Sequence, residues 1–282
     1  MYQTIMTDLD GTVLTLANTV TNELNDYLKA LRSRGVHIFA VTGRSLDRAL
    51  KVLPDDFPIE GIVTANGMSV YAGTKQIFQG ALPKQLVQKL LYRAESEKIY
   101  YQLDKDNGSI ALTRDKTYFL EQINKDRPES VSENEWLSRR QAVSGELIWK
   151  DGLSEKELSE ISKIYFFSES VERMKKWKAD LTKLSEAIPF DCYSSSHSNV
   201  EVNQKNISKA SGIRILLDYF HLSPEKAIVF GDGENDLPMF QIAGHAVAMK
   251  NAPDHVQKQA DEVTDFSYTG NGLYHFLKKT FG

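Results

Sequence analysis

The chain has 282 residues, of which 41% are hydrophobic and 26% are charged, and its formal net charge is −4. This length is enough to bury a substantial core and suggests two domains. The sequence has no basic stripe, no apolar run long enough to span a bilayer and no second cysteine beside Cys192, so we expect a cytoplasmic protein that binds neither nucleic acid nor membranes.

The first predicted element is a buried strand over residues 2–7 that ends in two carboxylates, Asp8 and Asp10. Side chains at positions i and i+2 of a strand share a face, so both acids would lie together at the carboxyl end of the strand, where open α/β sheets bind ligands. Such carboxylates repel each other unless a cation lies between them, and oxygen ligands suit Mg²⁺. The alternative is a hairpin turn at Asp10-Gly11, but residues 21–23 open a helix instead of a second strand.

The next elements alternate between helices and strands. We predict a helix from residue 22 to Gly35, a strand over 36–41, a helix to about residue 53, a strand over 62–64, and hairpin strands over 69–71 and 76–78. This order predicts a doubly wound, Rossmann-like, mostly parallel α/β sheet. The second strand ends in Thr42-Gly43-Arg44, where a hydroxyl and backbone N–H groups at the start of a helix suit an anion, although an ordinary turn is an alternative.

After Pro83 the pattern becomes that of an inserted α+β domain without an acid cluster of the Asp8/Asp10 type. Its predicted elements are a helix over 86–97, strands over 99–103 and 109–113, a polar stretch over 126–144, a strand over 161–167 and a helix over 171–184. We therefore expect residues 1–82 and 189–282 to form one core domain, which residues 83–188 interrupt.

From Pro189 the first pattern returns, with strands over 190–193, 200–202 and 227–230 and a helix over 207–220. The last of these strands runs into Gly231-Asp232-Gly233-Glu234-Asn235-Asp236. A dinucleotide-binding loop is excluded because an acid stands where the third small residue is needed, so Asp232 is interpreted as a second carboxylate arm for a cation. A lysine at a helix start is unfavourable beside the helix dipole, which suggests a function for Lys209, with Lys205 as the competing candidate.

These segments resemble the four motifs of the haloacid dehalogenase-like phosphohydrolases. The motifs are Asp8-Leu9-Asp10-Gly11-Thr12, Thr42-Gly43-Arg44, Lys209, and Gly231 to Asp236. The insertion between the second and third motifs is similar to the type II cap of the Cof-type branch, of which Thr64-Ala65-Asn66-Gly67 and Asn251-Ala252-Pro253 are also typical. Lys250 and Ala210 stand where glycine is common in the family. These two departures affect the expected shapes of the loops and leave the carboxylates of the motifs unchanged.

The resemblance implies a magnesium-dependent phosphatase that acts on small phosphorylated metabolites, such as sugar phosphates and nucleotide- or vitamin-like phosphate esters. Asp8 would be the nucleophile and Asp10 the general acid and base. Mg²⁺ would be held by Asp8, the backbone carbonyl of Asp10 and Asp232, with Asp236 orienting Lys209 or a metal-bound water. The groups implied for binding the phosphoryl oxygens are the backbone N–H of Leu9 and, in addition, the residues Thr42, Gly43, Arg44, Lys209 and Asn235.

The sequence identifies neither the molecule that accepts the phosphoryl group nor the substrate that donates it. A phosphotransferase or mutase on the same core, and a phospho-ligand sensor that turns over slowly, are the alternatives to a phosphatase. Specificity is expected to lie in the cap, with Arg44, Asn66 and Tyr100–Tyr101 as candidates for contacting the leaving group, although aromatic residues at such positions are more often part of the core. We expect a monomer or a homodimer.

Overall fold

A computed structural model describes residues 2–105, 108–131, 133–194 and 196–282, apart from the side chain at position 134. The strands are β1 Thr4–Thr7, β2 His37–Val41, β3 Gly61–Thr64, β4 Ser69–Ala72, β5 Lys75–Gln79, β6 Tyr100–Lys105, β7 Gly108–Leu112, β8 Leu147–Lys150, β9 Lys163–Phe167, β10 Phe190–Tyr193, β11 Asn199–Gln204, β12 Ala227–Gly231, β13 His245–Ala248 and β14 Glu262–Val263. The helices are α1 Asn22–Ser33, α2 Leu46–Leu50, α3 Lys84–Ser96, α4 Lys116–Ile123, α5 Glu133–Gln141, α6 Glu155–Leu158, α7 Val171–Ala187, α8 Lys209–Phe220, α9 Leu237–Phe240, α10 Asp254–Gln257 and α11 Gly272–Phe281. Within the described residues, no helix has the length and apolar character needed to cross a membrane.

The first compact unit, Met1–Gln79 with Ile207–Gly282, is built on an eight-stranded sheet. The strand order is β14-β13-β12-β1-β2-β3-β4-β5, parallel from β14 to β3 and antiparallel at β4 and β5. The predicted doubly wound α/β sheet is therefore confirmed. Strand β1 lies between β12 and β2, so the residues that follow these three strands emerge side by side at one edge of the sheet.

Both faces of this sheet are covered by amphipathic helices. Thr21 caps helix α1, because its hydroxyl accepts a hydrogen bond from the Leu24 N–H. The helix buries Leu24, Leu28 and Leu31 on the same side as α11. Helix α8 covers the opposite side. Because the central strands are buried on both faces, their sequences are continuous apolar runs instead of alternating patterns.

A close backbone contact fixes the start of helix α8 in the first unit. Gly67 has φ of +100°, and a Cβ atom added to it would lie 2.0 Å from the carbonyl oxygen of Ser208. Only glycine combines this backbone conformation with so close an approach. The turn after β3 therefore packs directly on the residue that precedes Lys209.

The second compact unit, Gly80–Asn206, contains a six-stranded sheet of order β10-β11-β9-β6-β7-β8. One face of this sheet packs on α3 and α7 through a core that includes Leu90 and Trp177. This division differs from the expected boundaries, which put residues 189–282 in the core domain. In the structure β10 pairs antiparallel with β11, and β11 pairs antiparallel with β9 of the second unit. Short strands from two sheets have the same local pattern, so only tertiary pairing assigns them to one sheet or the other.

Part of the polar stretch in the second unit is helical, which its sequence does not indicate. Among the described side chains of helix α5, the buried ones are Trp136 and a cation, Arg139. The Arg139 guanidinium lies 4.1 Å from the centre of the Tyr165 ring and donates a 2.8 Å hydrogen bond to Gln102. A helix whose inward face is partly charged shows little hydrophobic periodicity.

Candidate active site

The candidate site lies at the carboxyl edge of the eight-stranded sheet, where β1 and its two neighbours end. Thr7 pairs with Phe230 of β12 on one side and with Ala40 of β2 on the other. The Asp8 N–H continues this pairing by donating a 2.9 Å hydrogen bond to the Phe230 carbonyl. Asp8 is therefore held by backbone geometry beside the loops that carry Asp232 and Thr42.

Lys209 reaches Asp8 from the first residue of α8. Its Nζ atom lies 2.5 Å from Oδ1 of Asp8 and 2.6 Å from Oδ1 of Asp236, and the lysine side chain is fully buried (0% exposed). Two carboxylates thus balance a cation that the helix dipole disfavours. The competing candidate, Lys205, pairs instead with Asp191 in the second unit and is half-exposed.

Asp236 connects this lysine to the loop that follows β12. Its Oδ2 atom accepts hydrogen bonds of 2.9 Å from the N–H groups of both Asp232 and Gly233. One carboxylate therefore binds Lys209 with one oxygen and fixes the Asp232 backbone with the other. The completely buried position of Asp236 is explained by these three hydrogen bonds.

Asp232 is held by a residue to which the sequence assigned no role, Asn251. The Asn251 Nδ2 group donates to Asp232 Oδ2 at 2.9 Å and to the Gly11 carbonyl at 3.0 Å. Gly11 has φ of +71°, and a Cβ atom there would lie 2.0 Å from Asp232 Oδ2. Asn251 follows β13, and the convergence of strand ends at one edge is the sequence signal that could have identified it.

Asp10 lies in a bidentate ion pair with Arg44. The Arg44 Nε atom donates to Asp10 Oδ2 at 2.8 Å, and Nη2 donates to Oδ1 at 2.5 Å. The same Nη2 atom also donates to Asn18 Oδ1 at 3.0 Å. The structure thus brings together an expected acid–base group and an expected phosphate-binding group as partners, which their sequence positions did not indicate.

The remaining expected phosphate-binding groups lie around the second and fourth motifs. The Thr42 hydroxyl accepts the Arg44 N–H at 3.1 Å, and Asn235 Nδ2 donates to Asn66 Oδ1 at 3.1 Å. A Cβ atom on Gly43 would lie 3.0 Å from the same Asn66 oxygen. Asn66 therefore links the loops after β2 and β12.

The buried charges of the site shift the pKa values of their neighbours. Burial raises the pKa of Asp8 well above its usual range; Lys209 opposes this rise, whereas Asp236, Asp232 and Asp10 add to it. Burial and the Asp236 carboxylate raise the pKa of Asp232 to about 7. Burial alone would lower the pKa of Lys209, but the Asp236 and Asp8 carboxylates outweigh it and raise that pKa.

The acids of the site have the composition of a metal-binding cluster. Asp8, Asp232 and Asp236 each offer a carboxylate oxygen, and these oxygens lie within 4.8 Å of one another. When all three acids are ionised, Lys209 balances one of their charges and two negative charges remain. Hard oxygen donors with an excess of negative charge suit a divalent cation such as Mg²⁺.

The aromatic pair Tyr100 and Tyr101 belongs to the second unit. Tyr100 and Tyr101 are buried in the core of the six-stranded sheet, where the Tyr101 hydroxyl donates a 2.6 Å hydrogen bond to Asp115. Their packing supports the alternative interpretation, in which both are core residues.

Comparison with known proteins gives one consistent result. A family model described as haloacid dehalogenase-like hydrolase matches residues 5–277. A candidate phosphatase of Mycoplasma genitalium is 26% identical over 288 residues, which cover 98% of this chain and 97% of that protein. The 5-amino-6-(5-phospho-D-ribitylamino)uracil phosphatase YcsE of Bacillus subtilis is 26% identical over 263 residues, which cover 93% of this chain and 89% of that protein. The solved structure of the subclass IIB sugar phosphatase BT4131 superposes with a TM-score of 0.77 at 22% identity and covers 99% of each chain.

Proposed function

The chain belongs to the haloacid dehalogenase-like hydrolases and is a phosphatase, and from this premise we propose that it hydrolyses small phosphate monoesters with Mg²⁺ through a phosphoryl group carried on Asp8. One observation carries the proposal. The Asp8 carboxylate is buried and held by Lys209, with the carboxylates of Asp232 and Asp236 beside it. This arrangement fixes one oxygen nucleophile next to a lysine and a cluster suited to a divalent cation.

In the first step, an oxygen of Asp8 attacks phosphorus in line with the ester bond. An acyl-phosphate bond forms, the bond to the alcohol oxygen breaks, and Asp10 gives that oxygen its proton. In the second step, Asp10 takes a proton from water, whose oxygen attacks phosphorus and releases Asp8. Inorganic phosphate and the alcohol are the products, and both aspartates return to their starting states.

Positive charge must be supplied because a carboxylate and a phosphate dianion repel each other in a buried site. Lys209 supplies one charge beside Asp8. Mg²⁺, when bound, would screen the approach of nucleophile and phosphoryl oxygens, and Asp8, Asp232 and the Asp10 backbone carbonyl would hold it. The other proposed phosphoryl-binding groups are the backbone N–H of Leu9 and the residues Thr42, Gly43 and Asn235.

The ion pair between Arg44 and Asp10 has to rearrange during the proposed cycle. Both Asp10 oxygens accept hydrogen bonds from its guanidinium, and a carboxylate in this arrangement has to change partners before it carries a proton to the leaving group. A guanidinium also binds phosphate oxygens in bidentate fashion. We infer that an incoming ester draws Arg44 away from Asp10, which frees the acid–base group as the phosphoryl group binds.

We propose that an inserted domain governs which esters are accepted. Its predicted bounds are residues 83–188, and the compact second unit, Gly80–Asn206, supports a domain in this part of the chain. Relatives named for a ribitylaminouracil phosphate and for a sugar phosphate make these two ester classes the first to test.

The proposed function is tested by steady-state release of inorganic phosphate from p-nitrophenyl phosphate and from a panel of sugar, ribityl, flavin and pyridoxal phosphates. We expect turnover with Mg²⁺ and its loss in EDTA. A phosphorylated second sugar in place of inorganic phosphate would instead identify a phosphotransferase. A single turnover that leaves the protein phosphorylated would identify a sensor. Either result would contradict the phosphatase proposal.

We expect the stabilisation of the protein by Mg²⁺ to depend on pH. The raised pKa of Asp232, about 7 against an unperturbed 3.8, means that the metal-free folded state binds this proton more tightly than the unfolded chain. The resulting stabilisation is complete below the unfolded pKa and is lost as pH rises through the folded pKa. Because metal ligands must be deprotonated, the rise in Tm caused by saturating Mg²⁺ should be larger at about pH 8 than at about pH 5.5.

Differential scanning calorimetry with MgCl₂ and with EDTA at both pH values measures this difference. Asp232→Asn is the matched control, and its Tm should respond little to Mg²⁺ at either pH. An equal rise in Tm at both pH values in the unsubstituted protein would show that protons and Mg²⁺ do not compete at Asp232.

A further inference from the structure

Asn251 joins three segments of the first unit through one side chain. Its Nδ2 group donates to the Gly11 carbonyl after β1 and to Asp232 Oδ2 after β12. Its Oδ1 atom accepts the Tyr268 N–H at 3.1 Å, ahead of α11. The carboxamide therefore uses both its donor and its acceptor groups, and one of its partners is a proposed metal ligand.

The contact with Asp232 limits the orientation of that carboxylate. Oδ2 lies against the Cα of Gly11, since a Cβ there would be 2.0 Å from it, and the same oxygen accepts the Asn251 hydrogen bond. Within the described residues, Oδ1 of Asp232 accepts no hydrogen bond from the protein. The carboxylate is thus held by one oxygen, and the other is left available.

A simpler interpretation is that Asn251 only holds its own loop in shape, but that loop is already fixed by other groups. Gln257 Nε2 donates to the carbonyls of Lys250 at 3.1 Å and Ala252 at 2.8 Å, on either side of Asn251. The Lys250 N–H also donates to the Thr264 hydroxyl at 2.9 Å. The hydrogen bond to Asp232 therefore adds little to the shape of the loop and acts mainly on the carboxylate.

We propose that Asn251 is a positioning residue for metal binding, which holds the Asp232 carboxylate ready for the ion before the ion arrives. This inference rests on the proposed function, because it needs a cation at Asp232. Residues that hydrogen-bond to a metal ligand typically change metal affinity by about 10- to 100-fold when they are replaced. We expect Asn251→Ala to weaken Mg²⁺ binding by a factor in this range.

The test is isothermal titration of Mg²⁺ into the metal-stripped full-length protein, its Asn251→Ala variant and a matched control, Gln257→Ala. The control removes an amide of α10 that holds the same loop and does not contact Asp232. We expect a Kd raised about 10- to 100-fold in Asn251→Ala and changed less than about threefold in Gln257→Ala. The Mg²⁺ concentration that gives half-maximal phosphate release should rise in parallel, while kcat at saturating Mg²⁺ should recover most of its original value.

Melting curves in EDTA show whether each variant is folded. If Asn251→Ala does not fold, Asn251→Ser replaces it, because a hydroxyl has one proton and cannot donate to both Gly11 and Asp232. An unchanged Kd in a folded Asn251 variant, or the same rise in Kd in Gln257→Ala, would overturn the inference while leaving a magnesium-dependent phosphatase intact. An unsubstituted protein that neither binds Mg²⁺ nor releases phosphate would instead overturn the proposed function, and this inference with it.

Discussion

Replacing Asp8 with asparagine is expected to lower kcat for phosphate release by at least about 10⁴-fold, because an amide cannot form the acyl-phosphate bond on which both steps depend. The fold should survive this change. Lys209 keeps its contact with Asp236, and the buried acid cluster loses one of its negative charges. In EDTA, the Tm of the variant should therefore equal or exceed that of the unsubstituted protein, as expected where a site trades stability for activity.

The two quantities are measured separately, by phosphate release with Mg²⁺ and by calorimetry in EDTA. Asp26→Asn is a suitable control, since Asp26 lies on the exposed side of α1, 3.7 Å from Lys29, and should alter neither quantity appreciably. Activity in Asp8→Asn within about tenfold of the unsubstituted protein would exclude Asp8 as the nucleophile. A large fall in Tm would show instead that Asp8 is mainly a structural partner of Lys209.

Replacing Lys209 with methionine is expected to cost about 3–5 kcal/mol in the free energy of unfolding measured in EDTA. The methionine fills similar space, but it leaves Asp8 and Asp236 buried without the cation that contacts both. Turnover should fall as well, because the phosphoryl group loses a positive charge at the point of attack. The loss of stability should be smaller at low pH, because the raised pKa of Asp8 leaves its carboxyl group protonated there.

Urea unfolding followed by circular dichroism measures this cost, with Lys205→Met as the matched control. Lys205 is half-exposed and pairs with Asp191, so its replacement should change the free energy of unfolding by less than about 1 kcal/mol. Equal stabilities for the two variants would mean that the Lys209 ammonium group is not held between two buried carboxylates.

The sheet of the first unit and most of the acids of its site were predictable, because they depend on local rules. Continuous apolar strands alternate with amphipathic helices, and charged residues follow strands whose ends meet at one edge. The position of Lys209 at a helix start was itself informative, since the charge is unfavourable there without a partner.

Side-chain partnerships across the edge were not predictable from the sequence. Nothing in residues 42–45 indicates that Arg44 faces Asp10, because the conformations of two long-range partners depend on the packing of both loops. The role of Asn251 was missed for the same reason, although its position after a strand was a usable signal. In the second unit, the pairing of β10 and β11 and the helical state of α5 depend on tertiary contacts that outweigh local pattern.

The contact between Asp8 and Lys209 spans 201 positions of the sequence, and that between Gly11 and Asn251 spans 240. At ribosomal rates of about 5–20 residues per second, the Asp8 strand leaves the ribosome roughly 10–50 s before Asn251 does. Lys209 follows only after most of that interval, and Asp232, Asp236 and Asn251 come after it, so Asp8 lacks its lysine and its neighbouring acids for most of that time. A chain that stops before α8 therefore has Asp8 but lacks Lys209, Asp232 and Asp236.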